Sequence, residues 1–213
     1  MTQVRLSYAY GTSSQPLLGM TIGEKFDQAC QQYAEQDAVV SAHQNIRLSY
    51  KQLQDQVNAF ACSLLQLGLE KGDRIAIWSP NCVEWTITQF AAFKAGMILV
   101  NLNPAYKSSE LEYVLNKVSC KALVIAPQFK SSNYQEILTK IAPEITQSTD
   151  KLLSSQKLPH LKHIIKIDHE QHTGIHRFAD LLPQPTAAQL DQLHAIAADL
   201  QFDETINIQF TSG

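Results

Sequence analysis

The sequence predicts an α/β fold, an open and mainly parallel sheet flanked by helices. Three features carry that prediction. Residues 74–126 read strand, helix, strand, helix, strand, with about two dozen residues per repeat, the length a right-handed βαβ crossover needs. The segments 97–100 and 121–126 are short apolar runs rather than alternating ones, as strands covered on both faces require. The helix between the first two strands is apolar nearly all round (Val83, Trp85, Ile87, Phe90, Ala91, Phe93), which places it between layers and not on a surface.

The elements follow in order. Residues 1–20 form a polar lead-in ending in Pro16 and Gly19. Thr21 and Glu24 make a capping box, and Ile22, Phe26, Ala29, Cys30 and Tyr33 line the inner face of the helix it starts. Strands at 38–42 and 46–48 pair as a hairpin around Gln44 and Asn45. Ser49 and Gln52 open a helix with Tyr50, Leu53, Val57, Ala61, Leu64 and Leu65 inward, and Gly68 ends it. Gly72 and Asp73 turn into the strand at 74–79. Asn81 and Glu84 cap the apolar helix, Gly96 closes it, and Ser109 with Glu112 caps the next helix, whose Leu111, Val114, Leu115 and Val118 face the core. Beyond Pro127 the pattern gives a helix at 132–141 stopped by Pro143, a further turn or two at 149–155, and a strand at 163–167. A short helix at 177–182 and an amphipathic helix at 187–200 complete this part. The last strand, 206–210, alternates Ile206, Ile208 and Phe210 with Asn207 and Gln209.

Composition narrows the function classes. A chain of 213 residues with 45% hydrophobic and 17% charged residues is globular. A net charge of −3 without a basic run gives no footprint for nucleic acid or an anionic membrane. The four cysteines, Cys30, Cys62, Cys82 and Cys120, form no Cys-x-x-Cys pair and read as reduced core residues. With no signal-peptide pattern at Met1 and no apolar run of bilayer length, the expected location is the cytoplasm.

Several candidate sites fail on chemistry. Gly-x-Gly-x-x-Gly, a Walker loop and a Gly-x-Ser-x-Gly elbow are missing. His160, His163, His169, His172 and His176 crowd a segment bounded by Pro159 and Gly174. His169 and His172 are one residue short of the spacing that puts two imidazoles on one helix face, so the segment reads as a solvated histidine-bearing loop, not a metal site. Asp73 reads as a turn residue and Trp78 and Trp85 as core. Thr211, Ser212 and Gly213 close the chain with two hydroxyls and a residue free to take positive φ, either an ordinary turn or the start of an anion-binding loop.

A resemblance separates these two. Gly72-Asp73-Arg74-Ile75-Ala76-Ile77-Trp78, Pro80-Asn81, Ala95-Gly96, Val100-Asn101-Leu102-Asn103-Pro104-Ala105-Tyr106, Glu110-Leu111-Glu112-Tyr113-Val114-Leu115 and Phe210-Thr211-Ser212-Gly213 occur in that order. With these blocks the chain resembles the N-terminal portion of adenylate-forming (AMP-binding) acyl-CoA synthetases, most of all the medium-chain ones. The resemblance spans nearly the whole chain and is loosest over residues 145–175. It implies that residues 21–213 are part of an AMP-binding domain and that Thr211, Ser212 and Gly213 begin the loop that wraps the phosphates of ATP. It further implies ATP, Mg2+ and coenzyme A as reactants or cofactors and a fatty acid as substrate. The catalytic lysine and the metal-binding glutamate of that family have no counterpart within these 213 residues, so no catalytic or metal-binding residue is assigned and the chain alone is expected to be inactive.

Aryl or long-chain acids are the alternative substrates, and a non-catalytic α/β remnant or interaction module is the alternative class. A polypeptide ending inside the phosphate loop is also expected to expose apolar surface and self-associate. A reading frame that continues past Gly213 with Thr-Thr-Gly-x-Pro-Lys would support the ligase reading. Sequencing the DNA downstream of codon 213 checks this, and a stop codon there would favour the remnant.

Overall fold

The structure, a computed structural model, describes residue 14 and residues 17–210. In chain order its elements are α1 (Ile22–Gln32), β1 (Asp37–Ser41), β2 (Ile46–Ser49), α2 (Tyr50–Gln66), β3 (Arg74–Trp78), α3 (Val83–Lys94), β4 (Ile98–Asn101), α4 (Ser108–Lys117) and β5 (Ala122–Ile125). A two-residue hairpin follows, β6 (Gln128–Phe129) and β7 (Ser132–Asn133), then α5 (Tyr134–Ile141) and a 3-10 turn at Pro143–Gln147. The chain continues through β8 (His163–Lys166), β9 (His176–Arg177), a 3-10 turn at Phe178–Leu181, α6 (Ala187–Ala198) and β10 (Asn207–Gln209).

Six strands form one sheet in the order β10-β4-β3-β5-β8-β9, and every pairing in it is parallel. The chain leaves β3 for β4 on one side through α3, then crosses back over β3 through α4 to reach β5 on the other. The two crossovers therefore lie on opposite faces of the sheet. Side-chain alternation sorts the strands between two cores. Ile75, Ile77, Leu99, Val124 and Ile165 point to α1, α2, α3 and α6, where they meet Phe26, Val57, Phe60, Ile87 and Leu193. Ala76, Trp78, Val100, Leu123, Ile125 and Ile164 point the other way, to Leu111, Val114 and Leu115 of α4 and to Ile137 and Leu138 of α5. This two-faced burial explains why the strands of β3–β5 are written in continuous apolar residues.

Local chemistry sets the element ends. Thr21 and Ser49 form capping boxes with Glu24 and Gln52, as expected, and Thr186 forms one with Gln189. Gly68, Gly72 and Gly96 take positive φ at the turns that close α2, enter β3 and close α3.

Four expectations are corrected. Asn81 does not cap α3. Cys82 stands at the N-cap without a side-chain cap bond, and the first free amide, Val83 N–H, donates to Gln44 Oε1 at 2.8 Å from the β1–β2 hairpin. Gln44 Nε2 in turn donates to Glu84 at 2.8 Å. A cap supplied from the hairpin leaves no local spacing signal. Helix α4 starts at Ser108 rather than after Ser109, because the Glu110 carboxylate accepts the Lys107 N–H at 2.8 Å. Residues 149–155 contain no helix; the turn lies earlier, at Pro143–Gln147, where proline occupies the first turn. The inner face of α1 is Gly23, Phe26 and Cys30, while Ile22 is 47% exposed.

Gly23 faces inward because it packs on Lys94: a Cβ there would lie 3.3 Å from Lys94 Cγ. Lys94 is a buried cation, 2% exposed at its side chain, and its Nζ donates to Asp27 Oδ1 at 2.6 Å. Gln54 donates to the same oxygen at 2.7 Å, so one carboxylate ties α1, α2 and α3 together. Removing one partner of such a pair costs more than replacing the charge with an apolar group of similar size. Asp27→Ala is expected to destabilise the chain by about 2–3 kcal/mol, less than for a fully enclosed pair because Asp27 is 30% exposed. Lys94→Met is expected to change stability by less than about 1 kcal/mol. Urea unfolding of the two variants checks the order, and an equal loss in both would refute it.

Candidate functional site

In open parallel α/β sheets, ligands bind beyond the carboxyl ends of the strands where the strand order reverses. Here that place is the edge formed by the ends of β10, β4, β3 and β5. Thr211, Ser212 and Gly213, the residues assigned to phosphate binding, lie outside the described residues. What the structure places is their approach: β10 runs parallel to β4 with Gln209 opposite Asn101, and it stands at one edge of the sheet.

Side chains hold the start of β10. At its entry, Lys71 Nζ lies 2.8 Å from Glu204 and 3.6 Å from Asp199, and donates to the Asp199 carbonyl at 3.3 Å. The hydrogen bond to Glu204 raises the Lys71 pKa and holds the Glu204 carboxyl below its ordinary range. These groups are open to water, so the contribution is positional and small in energy. At its first residue, Asn101 Nδ2 donates to Asn207 Oδ1 at 3.2 Å, while Asn101 Oδ1 is buried with no hydrogen-bond partner among the described residues. Ile206 packs with the first core, whereas Ile208 and Phe210 pack with the second. Ile206 precedes the paired residues, so the expected single buried face starts at Ile208.

The loop after β4 carries Asn103, Pro104, Ala105 and Tyr106, and an aromatic pillar fixes it. Trp78, the last residue of β3, is fully buried and stacks on Tyr134 with ring centroids 3.6 Å apart. Trp78 Nε1 donates to the Asn103 carbonyl at 3.1 Å, and the Tyr134 hydroxyl donates to the Pro104 carbonyl at 2.7 Å. Burial pushes the Tyr134 hydroxyl pKa up, so it stays a donor at neutral pH. Two successive carbonyls of the loop next to β10 are thus clamped from below. Trp78 is core, as expected, and it also holds this loop. Asp73 is a turn residue, as expected: it accepts from the Glu70 N–H at 2.7 Å and from Lys121 at 2.6 Å.

The histidine segment departs from the solvated-loop expectation. His160 is exposed and His169 lies on the surface, but His163 sits within β8 at 6% exposure, close to His176. His172 Nε2 lies 2.7 Å from Asp168 Oδ2, which also accepts from the buried Lys166 at 2.8 Å. Burial would raise the Asp168 pKa; the Lys166 and His172 hydrogen bonds outweigh it and hold it low. Two strands bring these residues inside, which polar composition alone concealed. Among the described residues no group of three His, Cys, Asp or Glu side chains could hold a metal ion. A separate cavity of about 390 Å³ opens at the ends of β5 and β8, between Ile46, Val83 and Ile87 on one side and Ile167, Phe178 and Leu182 on the other.

Solved structures share this architecture. The anthranilate CoA ligase AuaEII in complex with anthranoyl-AMP aligns over 93% of this chain and 33% of its own, with a TM-score of 0.68 at 21% identity. The inhibitor-bound N-terminal domain of FACL13 from Mycobacterium tuberculosis aligns over 79% of this chain and 38% of its own, with a TM-score of 0.61 at 21% identity. At such identity they speak for the fold, that of adenylate-forming ligases. The family described as AMP-binding enzyme matches residues 26–213, and the chain belongs to it. Among sequence relatives, the mitochondrial medium-chain acyl-CoA ligase ACSF2 of Macaca fascicularis is 43% identical over 208 residues, covering 98% of this chain. The Danio rerio ligase of the same name is 37% identical over 207 residues, covering 97%. The chain spans about a third (34%) of the length of either relative.

The aromatic pillar gives a stability test. Tyr134→Phe loses one hydrogen bond and is expected to cost about 1 kcal/mol. Tyr134→Ala empties the space under Trp78 and is expected to cost about 3–5 kcal/mol. Denaturant unfolding of both variants measures the difference, and equal costs would mean that the stack contributes nothing beyond the hydroxyl.

Proposed function

We propose that this chain is part of an ATP-dependent fatty acid–CoA ligase with a preference for medium-length acids. In the proposed reaction a carboxylate oxygen attacks the α-phosphorus of ATP, forming acyl-AMP and expelling pyrophosphate. The coenzyme A sulfur then attacks the acyl carbonyl, forming a thioester and expelling AMP, with the thiol proton passing to solvent or a base. The observation that carries the reading is the family match over residues 26–213, joined by medium-chain ligases at 37–43% identity.

Within it, residues 21–213 are part of the adenylating domain. Thr211 and Ser212 offer hydroxyls, and with Gly213 they offer backbone N–H groups to phosphate oxygens. Strand β10 and the clamped loop after β4 support the start of that phosphate loop. Magnesium, which the resemblance implies, would neutralise the triphosphate, and it is given no ligand here. A cytoplasmic location stays a proposal: four free cysteines fit a reducing compartment, and no helix of the described residues is long and apolar enough to cross a membrane. The names of the relatives place those proteins in the mitochondrion.

The test is ATP–pyrophosphate exchange supported by octanoate, benzoate or palmitate. It is run on the 213-residue chain and on the protein extended with whatever its gene encodes after Gly213. Exchange with octanoate in the extended protein, and none in the 213-residue chain, is expected. Exchange with benzoate alone would move the substrate to aryl acids. Exchange by the 213-residue chain would overturn the reading that it lacks a working phosphate loop.

A further inference from the structure

The pair His163 and His176 lies outside the proposed reaction and has its own chemistry. His163 is on β8, and His176 is on β9, the edge strand of the sheet; His176 stands opposite Ile165 in the parallel register. His163 Nδ1 and His176 Nε2 face each other at 3.4 Å, with ring centroids 5.4 Å apart. Between the two neutral imidazoles one nitrogen donates its N–H and the other accepts, and a proton taken up at the accepting nitrogen would set two N–H groups face to face.

The surroundings resist an added proton. Both rings are largely removed from water. The charges that act on the pair are cationic: Lys121 ahead of β5, Lys162 ahead of β8, and Lys151 from the preceding loop. Lys121 has a carboxylate partner in Asp73. A metal ion would meet the same cations and, among the described residues, would find no third ligand.

What the pair holds in place is a strap. From β9 the chain enters the 3-10 turn at Phe178–Leu181, where Phe178 stacks on Phe60 with centroids 4.5 Å apart. Asp168, His169, Phe178, Ala179 and Leu182 form one wall of the 390 Å³ cavity. Much of the polar bonding in the strap is internal, as between Arg177 or Gln171 and Asp180. Its ties to the body are the β8–β9 ladder, Ile175 buried in the second core, the Phe178–Phe60 stack, the histidine pair, Lys166 to Asp168 and His172, and Gly174, where a Cβ would lie 1.9 Å from the Ile145 carbonyl oxygen.

We propose that His163 and His176 form an acid-sensitive latch, in which proton uptake by the facing imidazoles releases β9 and the strap 168–182 from the sheet edge and opens the cavity behind it. Burial, then the neighbouring charges, lowers the pKa of both rings, and His176 falls from an ordinary 6.5 to about 4. The open state binds protons that the closed state refuses, so closure is fully stable above about pH 6.5 and weakens as pH falls toward 4. From His176 alone, the opening equilibrium is expected to be about 30-fold larger at pH 5 than at pH 8.

Hydrogen exchange read by mass spectrometry, corrected for intrinsic rates, tests this on the 213-residue chain. Protection of peptides from 168–182 is expected to fall about 30-fold between pH 8 and pH 5 while β3 and β5 stay protected. The double variant His163→Asn, His176→Gln, which keeps polar partners without a titrating ring, is expected to lose that pH dependence. A flat response in the wild-type chain, an equal loss in β3 and β5, or an undiminished response in the double variant would each overturn the latch. If the double variant does not fold, imidazole titration of the wild-type chain by NMR decides: two rings titrating near 6.5 contradict the proposal, and two well below it support it.

Discussion

Burial of β3 on both faces and along both edges is the constraint on which the rest depends. A parallel strand so placed can hydrogen-bond only to other strands, and its side chains must find apolar partners above and below. Ile75 and Ile77 therefore demand the α1–α3 layer, and Ala76 and Trp78 demand α4 and α5. The crossovers through α3 and α4 meet both demands by lying on opposite faces. That choice also creates the reversal of strand order at the carboxyl edge, where this class of sheet leaves room for a ligand.

Trp78 joins this core to the edge. Its indole closes the second core against Tyr134, while its N–H and the tyrosine hydroxyl reach past the end of β3 to hold successive carbonyls after β4. Packing and positioning are thus one interaction. The strand β10, beside β4, is less enclosed: it depends on its ladder with β4, on the Asn101–Asn207 contact and on the Lys71 tether at its entry. A rigid centre with a lightly held edge suits the role proposed for β10, to lead into a phosphate-binding loop.

The other edge of the sheet shows the reverse. There the short β9 joins the strap 168–182 to the sheet, and its attachment relies on the ladder with β8, on aromatic stacking and on imidazoles kept uncharged by burial. A neutral histidine pair among lysines keeps its place through desolvation, which makes the attachment sensitive to protons in a way the central strands are not.

Much of the fold is legible in the residues themselves. Continuous apolar strands, capping boxes at Thr21 and Ser49, and glycines at 68, 72 and 96 act through neighbours within a few positions, so local patterns specify them. The order of motifs down to Thr211-Ser212-Gly213 likewise marks the family without coordinates. Four things required the tertiary structure. The cap of α3 comes from Gln44, the loop after β4 is fixed by a ring on α5, and Lys94 finds its carboxylate on α1. His163 and His176 look like loop residues until two strands draw them together. In each case the partners lie far apart in the chain, and only the folded sheet and its helices bring them within hydrogen-bonding distance.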